Sequence, residues 1–91
     1  MKNWKTPKLK KLARTLALIK SNVDMQSFLR DLCTLEELEE LSNRWEAAEL
    51  LNKSVPYREV ASKTGMSTTT VTRIAYWIKH GEGGYKKMFK K

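Results

Sequence analysis

The sequence predicts an all-α protein organised around a helix-turn-helix, and three observations carry that prediction. Apolar residues recur three and four positions apart along most of the chain, no segment alternates with the period of two that a strand needs, and helix-capping residues stand where the apolar runs begin. Ninety-one residues suffice for one small domain. At that size a chain buries only about 60 to 65% of its unfolded surface, so a second subunit is a natural source of further burial.

The first helix has its entry at Thr6-Pro7, because proline's missing N–H costs nothing in a first turn. Leu9, Leu12, Leu16, Ile19 and Val23 then line up as one narrow seam, the pattern of a helix that pairs with another helix. Met25, Phe28, Leu29 and Leu32 predict a second, short helix with Asp24 as its N-cap. In "TLEELEELSNRWEAAELLNK", Thr34 followed three residues later by Glu37 forms a capping box, and Glu36 and Glu37 lie where the helix dipole favours negative charge. Leu35, Leu38, Leu41, Trp45, Ala48 and Leu51 give this third helix a period near 3.5, long enough for a core element and a dimer axis together. The glutamates on its other side read as a solvated face, not as catalytic carboxylates.

"KSVPYRE" ends that helix and starts another, with Ser54 as a cap and Pro56 in the first turn. Val60, Ala61 and Thr64 share one side of the fourth helix, while Arg58 and Ser62 point away. Gly65 suits the left-handed end of a helix, Met66 plugs the turn, and Ser67 caps the next helix. There, Val71, Ile74, Ala75 and Ile78 form the apolar side, and Thr69, Thr72, Arg73, Tyr76 and His80 the opposite one. Trp77, at the border, reads as a packing residue. The glycines of "HGEGGYKKMFKK" stop the fifth helix ahead of a short basic segment carrying Tyr85, Met88 and Phe89.

Two short helices bent around a glycine, the second with hydroxyls and an arginine outward, match a helix-turn-helix whose exposed helix suits a DNA major groove. Hydroxyls can bond phosphates or base edges, threonine methyls can touch thymine methyls, and an arginine can pair bidentately with guanine. The candidates for phosphate contact and positioning are Arg58, Ser67 and Thr68; those for base readout are Thr69, Thr70, Thr72 and Arg73, with Tyr76 on the same face. Charge agrees with a polyanionic partner: residues 1–20 hold seven basic and no acidic side chains, 21–53 three and eight, and 54–91 eight and two. Both ends are therefore cationic around an acidic middle.

Other classes fare worse. A hydrophobic content of 41% and a charged content of 31% describe a folded, soluble chain. One cysteine, Cys33, and one histidine, His80, can build neither a disulfide nor a zinc site. The longest apolar run near the basic start, Leu16 to Ile19, is too short for a signal sequence, and no window approaches a membrane span. No nucleophile, cofactor loop or metal cluster suggests an enzyme. The expectation is a cytoplasmic, cofactor-free DNA-binding protein; the alternative is a helical dimerisation module whose basic amphipathic first helix binds an acidic partner or an anionic membrane surface.

From "DLCTLEELEEL" through "NRWEAAELL" to "GMSTTTVTRI", the chain resembles the Trp repressor superfamily, and within it the YerC/YecD-type members, over roughly residues 25–82. The resemblance implies an intertwined, all-helical homodimer that regulates transcription, organised as residues 1–53 for dimerisation and core, 54–80 for the helix-turn-helix, and 81–91 as a basic C-terminal segment. It also implies a ligand pocket: in corepressor-binding members two arginines clasp tryptophan, and Arg44 and Arg73 match them, with Thr34 and Thr70 matching pocket threonines. Those members keep a glycine just after the second arginine, where this chain has Ile74. A branched side chain there takes the space an indole needs, which argues for a closed pocket and against tryptophan as corepressor.

Overall fold

A computed structural model describes residues 3–91 and contains α1 (Pro7–Leu18), α2 (Asn22–Leu32), α3 (Leu35–Asn52), α4 (Tyr57–Thr64), α5 (Thr68–His80) and α6 (Gly84–Phe89). There is no strand among the described residues. Lys2, part of the cationic N-terminal run, lies outside them. The chain divides into two compact units, one running through Leu38 and one of Glu39–Lys91.

In the first unit, the Thr6 side chain accepts the Leu9 N–H and Pro7 opens α1. The seam drawn from Leu9 to Val23 is not one helix, because α1 stops at Leu18 and Ile19 is extended. Ser21, not Asp24, caps α2: its hydroxyl oxygen accepts the Asp24 N–H at 3.3 Å, which starts the helix earlier and leaves the Asp24 carboxylate in the first turn, where the dipole favours it. α2 ends at an extended Cys33, half-buried, whose carbonyl accepts from the Arg30 guanidinium. The capping box at α3 forms as expected, with Glu37 N–H donating to Thr34 Oγ1 at 3.1 Å and Thr34 N–H donating to Glu37 Oε1 at 2.8 Å. Neither α1 nor α2 contains a buried residue, and Leu18 and Val23 are 78% and 69% exposed.

The second unit is built on a small core. Ala47 and Ala48 of α3, Val60 of α4, and Val71 and Ile74 of α5 are its buried apolar residues, and burying a side chain such as Val60 contributes roughly 1.5–3 kcal/mol. Only the C-terminal half of the α3 seam is used this way, since Leu41 remains exposed. Ser54 does not cap α4. With φ 63° it closes α3, its N–H donating to the Leu51 carbonyl, and Pro56 takes the cap position with no side-chain bond. The chain must reverse direction there, and a serine in the left-handed region supplies the turn at some conformational cost.

α4 ends at Gly65 (φ 74°, ψ 7°), its N–H donating to the Ala61 carbonyl. Thr64, buried beside it, donates its hydroxyl proton to the Val60 carbonyl at 2.8 Å, so its burial leaves nothing unpaired. α5 stops at Gly81, where an added Cβ would come 2.4 Å from the Trp77 carbonyl oxygen. The short basic segment after the glycines contains a helix, α6. Tyr85 and Phe89, one turn apart, stack on Trp45 with ring centroids 6.2 and 5.5 Å away. A helix this short is stable only through such packing.

In urea unfolding followed by tryptophan fluorescence, Gly65→Ala should cost about 1–2 kcal/mol, from the left-handed backbone alone, because a Cβ there would meet nothing within 4 Å. Gly81→Ala should cost more, since its methyl has to displace a backbone carbonyl. The reverse order would contradict this account of the two turns.

Candidate nucleic-acid interface

α5 starts from a side-chain cap. Ser67 Oγ accepts the Thr70 N–H at 3.1 Å and lies 2.9 Å from Thr70 Oγ1, so cap and first turn hold one another. From that fixed start, burial of Val71 and Ile74 determines the rotation of α5 about its axis. Thr68, Thr69, Thr72, Arg73 and Tyr76 come out exposed, as do Ser67 at the cap and Arg58 on α4.

These side chains differ in how far they are committed. Thr72 donates its hydroxyl proton to the Thr68 carbonyl at 2.9 Å, which turns its methyl and an acceptor oxygen to its surroundings. Among the described residues, no side-chain hydrogen bond or ion pair engages Arg58, Thr69 or Arg73. Thr70 stands apart from the other base-readout candidates: it is half-buried and tied to Ser67.

Thr70 lines instead a cleft of about 400 Å³ with Glu40, Arg44, Arg73, Ile74, Trp77 and Tyr85. Here Arg44, Thr70 and Arg73, three of the residues matched to a ligand pocket, come together. Thr34, in the first unit, caps α3, where it is exposed. Ile74 belongs to the buried core and also lines this cleft. Arg44 is already engaged by Glu40, one turn earlier on α3.

Trp77 is 56% exposed, which corrects the sequence expectation of a packing residue. Its ring meets Tyr76 edge-on at 5.3 Å and forms a wall of a second, apolar cleft of about 490 Å³, with Trp45, Tyr85 and Met88. Sequence periodicity placed Trp77 on the border of the helix and could not say which neighbour would be absent. Among the described residues, no helix is long and apolar enough to cross a membrane, and no group of three or more His, Cys, Asp or Glu side chains could hold a metal ion.

A family model described as Trp repressor protein matches residues 7–91. The Bacillus subtilis protein YerC is 30% identical over 78 residues, covering 86% of this chain and 75% of that relative. A Trp operon repressor homolog of Xylella fastidiosa is 43% identical over 65 residues, covering 70% of this chain and 71% of the relative. The crystal structure of a TrpR-like protein from Eubacterium eligens superposes with a TM-score of 0.88 at 32% identity, covering 94% of this chain and 89% of that one.

Removing the cap by Ser67→Ala should destabilise the second unit by about 1 kcal/mol. Hydrogen exchange at the Thr70 amide should quicken before that of Val71, whose N–H donates to the Ser67 backbone carbonyl, which the substitution keeps. Unchanged exchange at Thr70 would mean that the hydroxyl is not the effective cap.

Proposed function

This chain belongs to the Trp repressor family, whose members are DNA-binding transcription regulators, and on that premise we propose that it is a sequence-specific binder of double-stranded DNA that represses transcription as a homodimer. The observation that carries the proposal is the outward face of α5, where Thr69, Thr72 and Arg73 are exposed and Thr69 and Arg73 have no side-chain partner among the described residues. A bidentate guanidinium, a hydroxyl and threonine methyls are what the edge of a base pair can distinguish in a major groove. Arg58 on α4 with Ser67 and Thr68 at the start of α5 take the backbone-positioning role, since the N-terminus of a helix and an exposed cation both favour phosphate. Thr70 then supports Ser67 more than it reads a base, and Tyr76 extends the outward face.

The homodimer is supported by apolar surface that each unit leaves uncovered. No residue of α1 or α2 is buried, and in the second unit Trp77 and Met88 are 56% and 53% exposed around an apolar cleft. A second copy provides cover for such surfaces, and a two-fold assembly presents two recognition helices to one duplex. The cationic ends add sequence-independent attraction to the phosphate backbone.

Tryptophan is not the effector in this reading. The Glu40 carboxylate pairs with Arg44 inside the cleft that the arginines line, so an amino-acid carboxylate would have to displace it. Trp77 already places an indole on the wall of that cleft.

Selection from a randomised duplex pool should enrich a two-fold symmetric site, and a pool that stays random would defeat the proposal. Against the enriched site, Arg73→Ala should cost about 1–3 kcal/mol of binding and relax preference at one base position per half-site. An equal loss on shuffled DNA would instead place Arg73 on a phosphate. Calorimetric titration with tryptophan should show no micromolar binding, and heat at that concentration would restore the corepressor role.

A further inference from the structure

A third cleft lies on another flank of α5, with neither Arg44 nor Arg73 in its lining. Tyr57 of α4 and Thr72, Ala75, Tyr76, Lys79 and His80 of α5 enclose about 250 Å³. No carboxylate lines it. Two phenols, an imidazole and an ammonium supply hydrogen-bond donors, and the only apolar member, Ala75, is small enough to let a ligand approach the helix. Tyr57, Tyr76, Lys79 and His80 are all exposed, and the Tyr76 and His80 rings rest 4.7 Å apart, which restricts where the imidazole can point. Donors around one full positive charge, with no competing anion, fit an oxygen-rich monoanion.

The position of the cleft indicates which anion. α5 has 13 residues and is therefore about 20 Å long, whereas the major groove is about 12 Å wide. If the groove receives Thr69, Thr72 and Arg73 near the start of the helix, the last two turns reach the groove's rim, where the phosphates run. The cleft shares Thr72 and Tyr76 with the outward face and continues it in that direction. A free phosphate ion would find a single full charge in an open site, while a phosphate fixed in a duplex arrives with all the other contacts already made.

We propose that the cleft of Tyr57, Tyr76, Lys79 and His80 seats one backbone phosphate of the bound duplex, at the rim of the groove read by the start of α5. The proposal rests on the DNA-binding reading given above. It assigns to Lys79, His80 and Tyr57 the anchoring of the C-terminal half of the recognition helix, which base contacts alone leave free to pivot.

The test uses the full chain, the duplex enriched from the randomised pool, and a shuffled duplex. For Lys79→Gln, the slope of log affinity against log salt should become shallower by about 1.8, about 0.9 from each half-site of the dimer, with binding to both duplexes weaker by roughly fivefold to tenfold per half-site at 0.1 M salt. The order of preference among single-base variants should not change. Tyr57→Phe, which keeps the ring and deletes a neutral donor, should weaken both duplexes by about twofold to tenfold with the slope unaltered. Replacing one phosphate at a time by a neutral methylphosphonate should reveal a position in each half-site where the unmodified protein loses affinity and Lys79→Gln does not. A full salt slope for Lys79→Gln, an altered base preference, or the lack of such a phosphate position would overturn the assignment. If the unmodified protein enriches no duplex at all, the DNA-binding reading falls first; if it enriches one and the Lys79→Gln slope is unchanged, the phosphate seat alone fails.

Discussion

Burial of Val71 and Ile74 against Ala47, Ala48 and Val60 is the constraint on which the functional face depends. A helix on the surface of a small domain can commit one stripe to the core, and the choice of stripe fixes every other side chain by rotation. Once those two residues are inside, Thr69, Thr72, Arg73 and Tyr76 have to face outward. The alanines matter because they occupy no room: with nothing beyond Cβ on α3 at two successive positions, the branched side chains of α4 and α5 can fill the space between the helices. A larger residue at Ala47 or Ala48 would push on α5, the element that carries the proposed DNA-facing residues.

The same rotation gives α5 two unlike flanks. On one, Arg73 opens onto a cleft where Arg44 is held by Glu40; both partners of that ion pair are about half exposed, so it stabilises the fold little. Its effect is on the cleft's chemistry, since it spends a charge that an anionic ligand would otherwise meet. On the other flank Lys79 and His80 have no carboxylate beside them. The outward face, with an uncommitted arginine, lies between a flank whose charge is satisfied and one whose charge is free. That asymmetry favours a polyanion approaching from the side of Tyr57 and Tyr76.

The parts of this fold that rest on local chemistry were legible in the sequence. Thr6 with Pro7, Thr34 with Glu37, Gly65, and Ser67 each mark a helix end through a bond or a dihedral formed within four residues, and all four stand where the sequence placed them. The all-helical class and the two faces of α5 followed from periodicity in the same way. What was missed depends on distant neighbours or on competition between nearby caps. Ser21 outcompeted Asp24 because its hydroxyl reaches an amide three residues on, and Ser54 adopted a left-handed turn to end one helix instead of starting the next. α6 owes its existence to Trp45, about forty positions away, although the four-residue spacing of Tyr85 and Phe89 was a usable sign of a helix.

The exposed apolar residues link the fold to the dimer reading. α1 carries Leu9, Leu12 and Leu16 only half-buried, and α3 begins with Leu35, 61% exposed, so neither the basic first helix nor the entrance of the long helix has its full cover. Each such side chain forgoes part of the roughly 1.5–3 kcal/mol that complete burial provides, in a molecule whose total stability is of order 5–15 kcal/mol. Association that covers them would add to folding stability by mass action, and the folded fraction would then rise with protein concentration. If two copies pair as proposed, the pair gains stability and brings a second α5 in the same event. Specific affinity for a two-fold site would thus be withheld until the concentration suffices to form the pair.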